Sequence, residues 1–215
     1  MLTINNLTVS YEKNNPILKN LNYRFDKNGI YGLLGKNGSG KTTFFNTLYK
    51  ILKPKEGSIN FLDKKLKRSD IAYLQSEARF FYNITGNEYL SLFADSGFDL
   101  QPIIKKFSIP LNNLIDEYSL GMKKKLSILA SLKQNRPIFI ADEPFDNIDL
   151  ESYNLLKKIL LEIAKNKIVI VSSHIIESLT SVCDKILLLK DGTINKEILP
   201  EEYNNLEKII FEFEN

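Results

Sequence analysis

The sequence predicts an α/β fold: a parallel sheet with crossover helices, an N-terminal antiparallel β region and an inserted helical lobe. Three observations predict it. A compact apolar run, Ile30–Leu34, leads into a glycine-rich stretch at 35–40 and then a helix-compatible segment. From Pro137 onward apolar strands alternate with helically spaced segments, an order that requires crossover connections between parallel strands. Between these halves, residues 78–134 lose strand alternation and take up helical spacing, as in Leu126, Leu129, Ala130 and Leu132.

The elements follow in chain order. Leu2, Ile4, Leu7 and Val9, then Leu18, Leu21, Tyr23 and Phe25, alternate as half-buried strands do. Asp26-Lys27-Asn28-Gly29 reads as a turn, and Ile30–Leu34 suits a central strand. A helix is expected from Lys41 to about Leu52, broken by Pro54 and Gly57, with a strand at Ser58–Leu62. Beyond the lobe come a strand at Ile138–Asp142, a helix at Glu151–Lys165 and a strand at Ile168–Ser172. A helix at Ile175–Val182, a strand at Lys185–Lys190 and a short αβ tail complete the pattern.

Composition narrows the class. The 215 residues are 43% hydrophobic and 26% charged, which excludes a disordered chain. The net charge of +3 is too slight to imply a nucleic-acid partner, and only Arg24, Arg68, Arg79 and Arg136 can offer bidentate readout. Cys183 is the one cysteine, so no internal disulfide forms, and it reads as a small buried apolar residue. The longest apolar run, Ile186–Leu189, is strand-sized, far short of the ~18 residues of a membrane helix. Without a basic n-region and apolar core at the N-terminus, a cytoplasmic location is expected.

Gly35-Lys36-Asn37-Gly38-Ser39-Gly40-Lys41-Thr42 fits the phosphate-binding pattern G-x-x-x-x-G-K-[ST]. Glycines allow the tight turn that aims several backbone N–H groups at phosphate oxygens, and the following helix adds its N-terminal dipole. Lys41 can neutralise β- and γ-phosphate charge, and the Thr42 hydroxyl can ligate Mg²⁺. By itself the motif predicts NTP binding, as in a P-loop NTPase core. A second acidic site ends the strand Ile138–Ala141. That strand is expected beside the P-loop strand, with Asp142 completing the Mg²⁺ site and Glu143 polarising an attacking water as general base.

With these sites placed, nearly all of the chain resembles the nucleotide-binding subunit of an ATP-binding-cassette (ABC) transporter. Tyr11 lies where that family has an aromatic that stacks on adenine, and Thr43 joins the P-loop as an ATP-binding position. Gln75, after Ile71-Ala72-Tyr73-Leu74, matches the Q-loop glutamine that senses Mg²⁺ and the γ-phosphate. Tyr118-Ser119-Leu120-Gly121-Met122 occupies the place of the signature motif, with Leu120 for a glycine and Met122 for the usual glutamine. Ser119 and Gly121 keep the hydroxyl and the close-approach N–H that meet a partner's ATP. Asp146-Asn147-Ile148-Asp149 resembles the D-loop, and His174, the only histidine, stands where the family has its switch histidine. The signature variant and the segment Tyr82–Leu90 are similar to those of ABC-2 exporters, including drug-efflux and bacteriocin-immunity systems.

The resemblance implies one ATPase domain over 1–215, with a helical lobe at about 78–134 inserted in the P-loop core. It implies a Mg²⁺-dependent ATPase that forms a homodimer or pseudo-dimer on ATP, each nucleotide sandwiched between one P-loop and the partner's signature. It also implies a separate transmembrane permease that holds the chain at the inner face of the membrane. A soluble ATPase of the same superfamily acting on a macromolecule is the alternative. A P-loop kinase or GTPase leaves the signature unexplained and lacks Asn-Lys-x-Asp. Replacing Lys41 tests the common core of these readings. Lys41→Ala nearly abolishes ATP affinity while the fold survives, and unchanged affinity by calorimetry in a folded variant rejects the role.

Overall fold

The computed structural model describes residues 1–12, 15–93 and 97–214, so residues 94–96 of the expected lobe lie outside the described residues. Two sheets form. β1 (Leu2–Glu12) pairs antiparallel with β2 (Asn15–Phe25) on one side and β4 (Glu56–Phe61) on the other, and β5 (Lys64–Lys65) extends this small sheet. The larger sheet contains β3 (Gly29–Leu34), β6 (Ile71–Leu74), β7 (Ile138–Ala141), β8 (Ile168–Ser172), β9 (Lys185–Lys190) and β10 (Thr193–Ile198). Its order is β10-β9-β3-β8-β7-β6, parallel throughout except for β10, which runs antiparallel on β9.

This order corrects one expectation. β7 is not beside β3; β8 lies between them. All three strands are wholly buried, so hydrophobic pattern cannot rank them, and their order is a matter of tertiary packing.

Burial alternates within those strands. Ile30, Phe139, Val169 and Val171 face one core, shared with α4 (Leu120–Lys133) and α5 (Leu150–Ala164). Tyr31, Leu33, Ile138, Ile140, Ile168 and Ile170 face a second core, shared with α1 (Lys41–Leu48) and the antiparallel sheet. The period of two thus divides a uniformly apolar strand between two layers. α2 (Gly86–Ser91), α3 (Gln101–Phe107) and α4 lie between β6 and β7 in the chain. Tyr89, Leu90, Ile103 and Phe107 pack into the same core as Leu126 and Ala72, so these helices rest on the sheet rather than on a core of their own.

Two helices are shorter than their spacing suggests. α1 stops at Leu48 because Lys50 turns left-handed (φ 63°), letting the Ile51 N–H reach back to the Asn46 carbonyl at 2.8 Å. α6 (Ile176–Thr180) leaves Ile175 as its N-cap and Val182 beyond its end, where the Cys183 N–H bonds to the Leu179 carbonyl. Cys183 is buried against Gly32, and that burial pushes its thiol pKa up. β10 leads through residues 200–205 into α7 (Leu206–Glu214).

Phe44 shows how tightly the P-loop helix is anchored: it is fully buried between α1 and the sheets. Phe44→Ala leaves a cavity there and lowers unfolding free energy by about 3–5 kcal/mol, measurable by denaturant titration.

Candidate functional site

The turn from β3 into α1 carries the phosphate-binding loop. Gly40 caps α1 with φ 108°, a conformation that strains any side chain, and a Cβ there would crowd the Leu18 side chain at 3.0 Å. At Gly35 a Cβ would lie 2.4 Å from the Leu189 carbonyl, which pins the loop against β9. Lys36, Asn37 and Gly38 are exposed on the loop's outer face, and Ser39 is half-buried. The Lys41 ammonium donates to the Gly35 carbonyl at 2.6 Å and the Lys36 carbonyl at 3.3 Å, so it lies along the loop it follows. Thr42 is exposed in the first turn of α1, and Thr43 is buried. The Tyr11 hydroxyl lies 3.3 Å from Thr43 Oγ1, while the residue stays 62% exposed, leaving its ring accessible beside the loop. A cavity of about 670 Å³ opens on one flank, lined by Ile17, residues 35–39, His174 and Ile210; Tyr11, Lys41 and Asp142 are not part of its lining.

Asp142 and Glu143 leave the end of β7 in different directions. Asp142 is buried at 3% exposure, its Oδ1 accepting the Ser172 hydroxyl at 2.6 Å, and Tyr73 bonds to the same carboxyl. Burial pushes its pKa up, and the Ser172 hydrogen bond and the charges of Lys41 and Lys124 push back. The Asp142 N–H donates to the Leu74 carbonyl at 2.9 Å, joining this strand end to the one that carries Gln75. Asp142, Thr42 and Gln75 all offer oxygen donors, a set that suits a hard cation such as Mg²⁺.

Glu143 adopts a left-handed backbone (φ 47°), unusual for a residue with a Cβ. Its N–H donates to Ser172 Oγ at 3.0 Å. Its Oε2 accepts the His174 N–H at 3.1 Å and lies 3.1 Å from His174 Nδ1. Asp146 adds a second carboxylate, 3.9 Å from the same nitrogen, and one ligand-type atom from each of the three residues lies within 4.8 Å of the others.

Ser119, Gly121 and Asp149 form a second group. Ser119 caps α4, its hydroxyl accepting the Met122 N–H at 3.2 Å, and Asp149 caps α5 through the Ser152 N–H at 2.8 Å. Lys125 joins the two helices by a 2.7 Å ion pair with Asp149. That ammonium and the cap N–H hold the Asp149 carboxyl well below the usual carboxylate range. A Cβ at Gly121 would sit 3.1 Å from the Asn147 carbonyl, so the two loops already touch within one chain.

Two residues escaped the sequence reading. Ser172 holds both Asp142 and Glu143, and Lys124 donates to the Glu143 carbonyl at 2.8 Å. The only sequence signal for Ser172 is a polar pair, Ser172-Ser173, closing an apolar strand just before His174. Lys124 is hidden inside Lys123-Lys124-Lys125, which reads as a solvated run.

Comparison with known proteins places this geometry. The ABC transporter family model matches residues 18–146. The lantibiotic transport ATP-binding protein SrtF of Streptococcus pyogenes is 30% identical over 221 residues, covering 97% of this chain and 94% of that protein. A solved ATP-binding subunit of an ABC transporter superposes with TM-score 0.91 over 100% of both chains, at 22% identity, a likeness of fold. A dimeric ATP-binding cassette in a post-hydrolysis state, bound to ADP and Pi, matches at TM-score 0.79 and 25% identity, covering 93% of this chain and 99% of that one.

Ser172 gives this arrangement a specific test. Ser172→Ala removes a donor to the Asp142 carboxylate, so its raised pKa climbs further. Mg²⁺-dependent ATP affinity then falls by about 1–2 kcal/mol, and the deficit widens as pH drops and Asp142 protonates. Calorimetric titrations with Mg²⁺ and with EDTA, at two pH values, separate this from a general loss of binding.

Proposed function

The chain belongs to the ABC transporter family as an ATP-binding subunit, and we propose that it hydrolyses ATP to drive a separate membrane-spanning partner. The observation that carries the hydrolase reading is the Glu143–His174 pair, set beside Asp142 at the sheet edge where the phosphate-binding loop also begins. In this reading Lys41 and the loop N–H groups hold the β- and γ-phosphates, and Tyr11 stacks on adenine. Thr42, Asp142 and Gln75 hold Mg²⁺, which when bound neutralises phosphate charge. Glu143 takes a proton from the attacking water as general base, and His174, bonded to Oε2, fixes which way the carboxylate faces. Gln75, one residue beyond β6, reports the γ-phosphate to the loop that follows it.

The second group then serves a partner subunit. Ser119 and Gly121 present a hydroxyl and an N–H to the other subunit's γ-phosphate, and Asp149 sits in the loop that meets across the dimer. ATP charge, neutralised by Lys41 and Mg²⁺, bridges the two copies, and hydrolysis removes the bridge and shifts the pair toward its open state. Among the described residues no helix is long and apolar enough to cross a membrane. In this reading a separate permease, as the family resemblance implies, supplies the membrane path and holds this chain at the inner face. The Tyr-Ser-Leu-Gly-Met signature, together with a relative named for lantibiotic transport, favours export.

A pair of substitutions tests chemistry and assembly together. Glu143→Gln keeps size and most hydrogen bonding but removes the base. It hydrolyses ATP at least about a hundredfold more slowly, within the range for loss of a general base, and accumulates as an ATP-dependent dimer. Adding Ser119→Arg returns it to monomer. Light scattering reads both, and a Glu143→Gln chain that stays monomeric at saturating ATP rejects the sandwich.

A further inference from the structure

Lys124 stands in the second turn of α4 and is only 7% exposed. Lysines are almost never buried so deeply without partners. Here the ammonium donates to two main-chain carbonyls: Glu143 at 2.8 Å and Ser76 at 3.4 Å. Glu143 is the proposed base, held in a left-handed conformation that its surroundings must enforce. Ser76 directly follows Gln75. Burial pulls the Lys124 pKa down, while the charges of Asp146, Asp142 and Glu143 push it back up.

We propose that Lys124 is a positioning residue for hydrolysis, its ammonium pinning the Glu143 main chain and the loop after Gln75 to the helix that begins at Ser119. The geometry makes α4 a lever. A helix of 14 residues moves as one piece, so a displacement at its N-terminus reaches Lys124 one and a half turns later. From there it reaches the carbonyl of Glu143. The carboxylate is fixed at its other end by His174, so movement of the carbonyl re-aims the side chain between two anchors. Arrival of a partner's nucleotide at Ser119 would thus be felt at this subunit's own base. A lysine suits the task because its three donors can satisfy two carbonyls from different loops at once.

The proposal rests on the hydrolase reading. Lys124→Met keeps the aliphatic stem and deletes the donors. We expect kcat to fall about tenfold to a hundredfold, the scale of a misplaced catalytic group, with KM for ATP and calorimetric affinity within about twofold of the parent. Lys124→Gln, a neutral donor one bond shorter, falls less than Met. In a Glu143→Gln background, Lys124→Met leaves the ATP-dependent dimer intact, since the pin acts on the base and not on assembly. The proposal is overturned if folded Lys124→Met keeps the parental kcat, if Met and Gln lose rate equally, or if the loss lies in KM. Should Met fail to fold, Gln decides alone: reduced kcat at constant KM supports the pin, and anything else removes it. A parent chain that hydrolyses no ATP overturns the hydrolase reading and the proposal with it. An active parent with an indifferent Lys124 overturns the proposal alone.

Discussion

Parallel backbone pairing aligns Leu33 with Ser172, Val171 with Ala141, and Ala141 with Leu74. Each strand therefore ends at the same level, and the next residues of each strand emerge together: the loop from Gly35, Ser173-His174, Asp142-Glu143 and Gln75. Elements far apart in the chain share one edge because crossover connections return these strands in the same direction. A slip of one residue in any of these pairings would exchange the two cores and move a carboxylate off the edge. The site depends on register first and on side chains second.

Register alone would leave polar groups buried at that edge, and the structure answers with shared partners. Asp142 is nearly inaccessible, yet it accepts from Ser172 and Tyr73 and feels Lys41 and Lys124. Ser172 is used twice, donating to Asp142 and accepting from Glu143, so one hydroxyl fixes both acidic residues relative to the neighbouring strand. Unpaired, a buried carboxylate would protonate or destabilise the fold. The network offsets part of the rise that burial imposes on the Asp142 pKa.

Ser119 and Asp149 show how a helix cap can coincide with the role proposed for it. Each satisfies one N–H in the first turn of its helix, a task that alone contributes about 0.5–2 kcal/mol. Each also stands on a loop that touches the other, through Lys125 with Asp149 and Gly121 with Asn147. A cap is rigid and lies at the surface, so it can hold a group where a second subunit would meet it. α4 links this outward group to the inward one through Lys124.

The sequence by itself determined most of the strands, the phosphate-binding turn and the acidic strand end, but not the two-residue β5. These are written in local chemistry: glycines where φ is positive, apolar runs of strand length, a lysine and a threonine at fixed spacing. The apolar positions likewise foretold which residues of β1 and β2 face the core, though the period of two breaks at Ile4–Leu7 and Leu18–Leu21, where Asn6 and Asn20 turn left-handed. The sequence could not order the strands. β3, β7 and β8 are equally apolar, and the place of β8 between the other two is a long-range matter that no local pattern encodes. Nor could it stop α1 at Leu48, where a left-handed Lys50 overrides helical spacing that continues to Leu52. Tertiary structure alone also decided which hydroxyl serves Asp142 and which of three consecutive lysines is buried. A lysine's own sequence position says nothing of the carbonyls around it, and Lys124 differs from Lys123 and Lys125 only by the face of the helix it occupies.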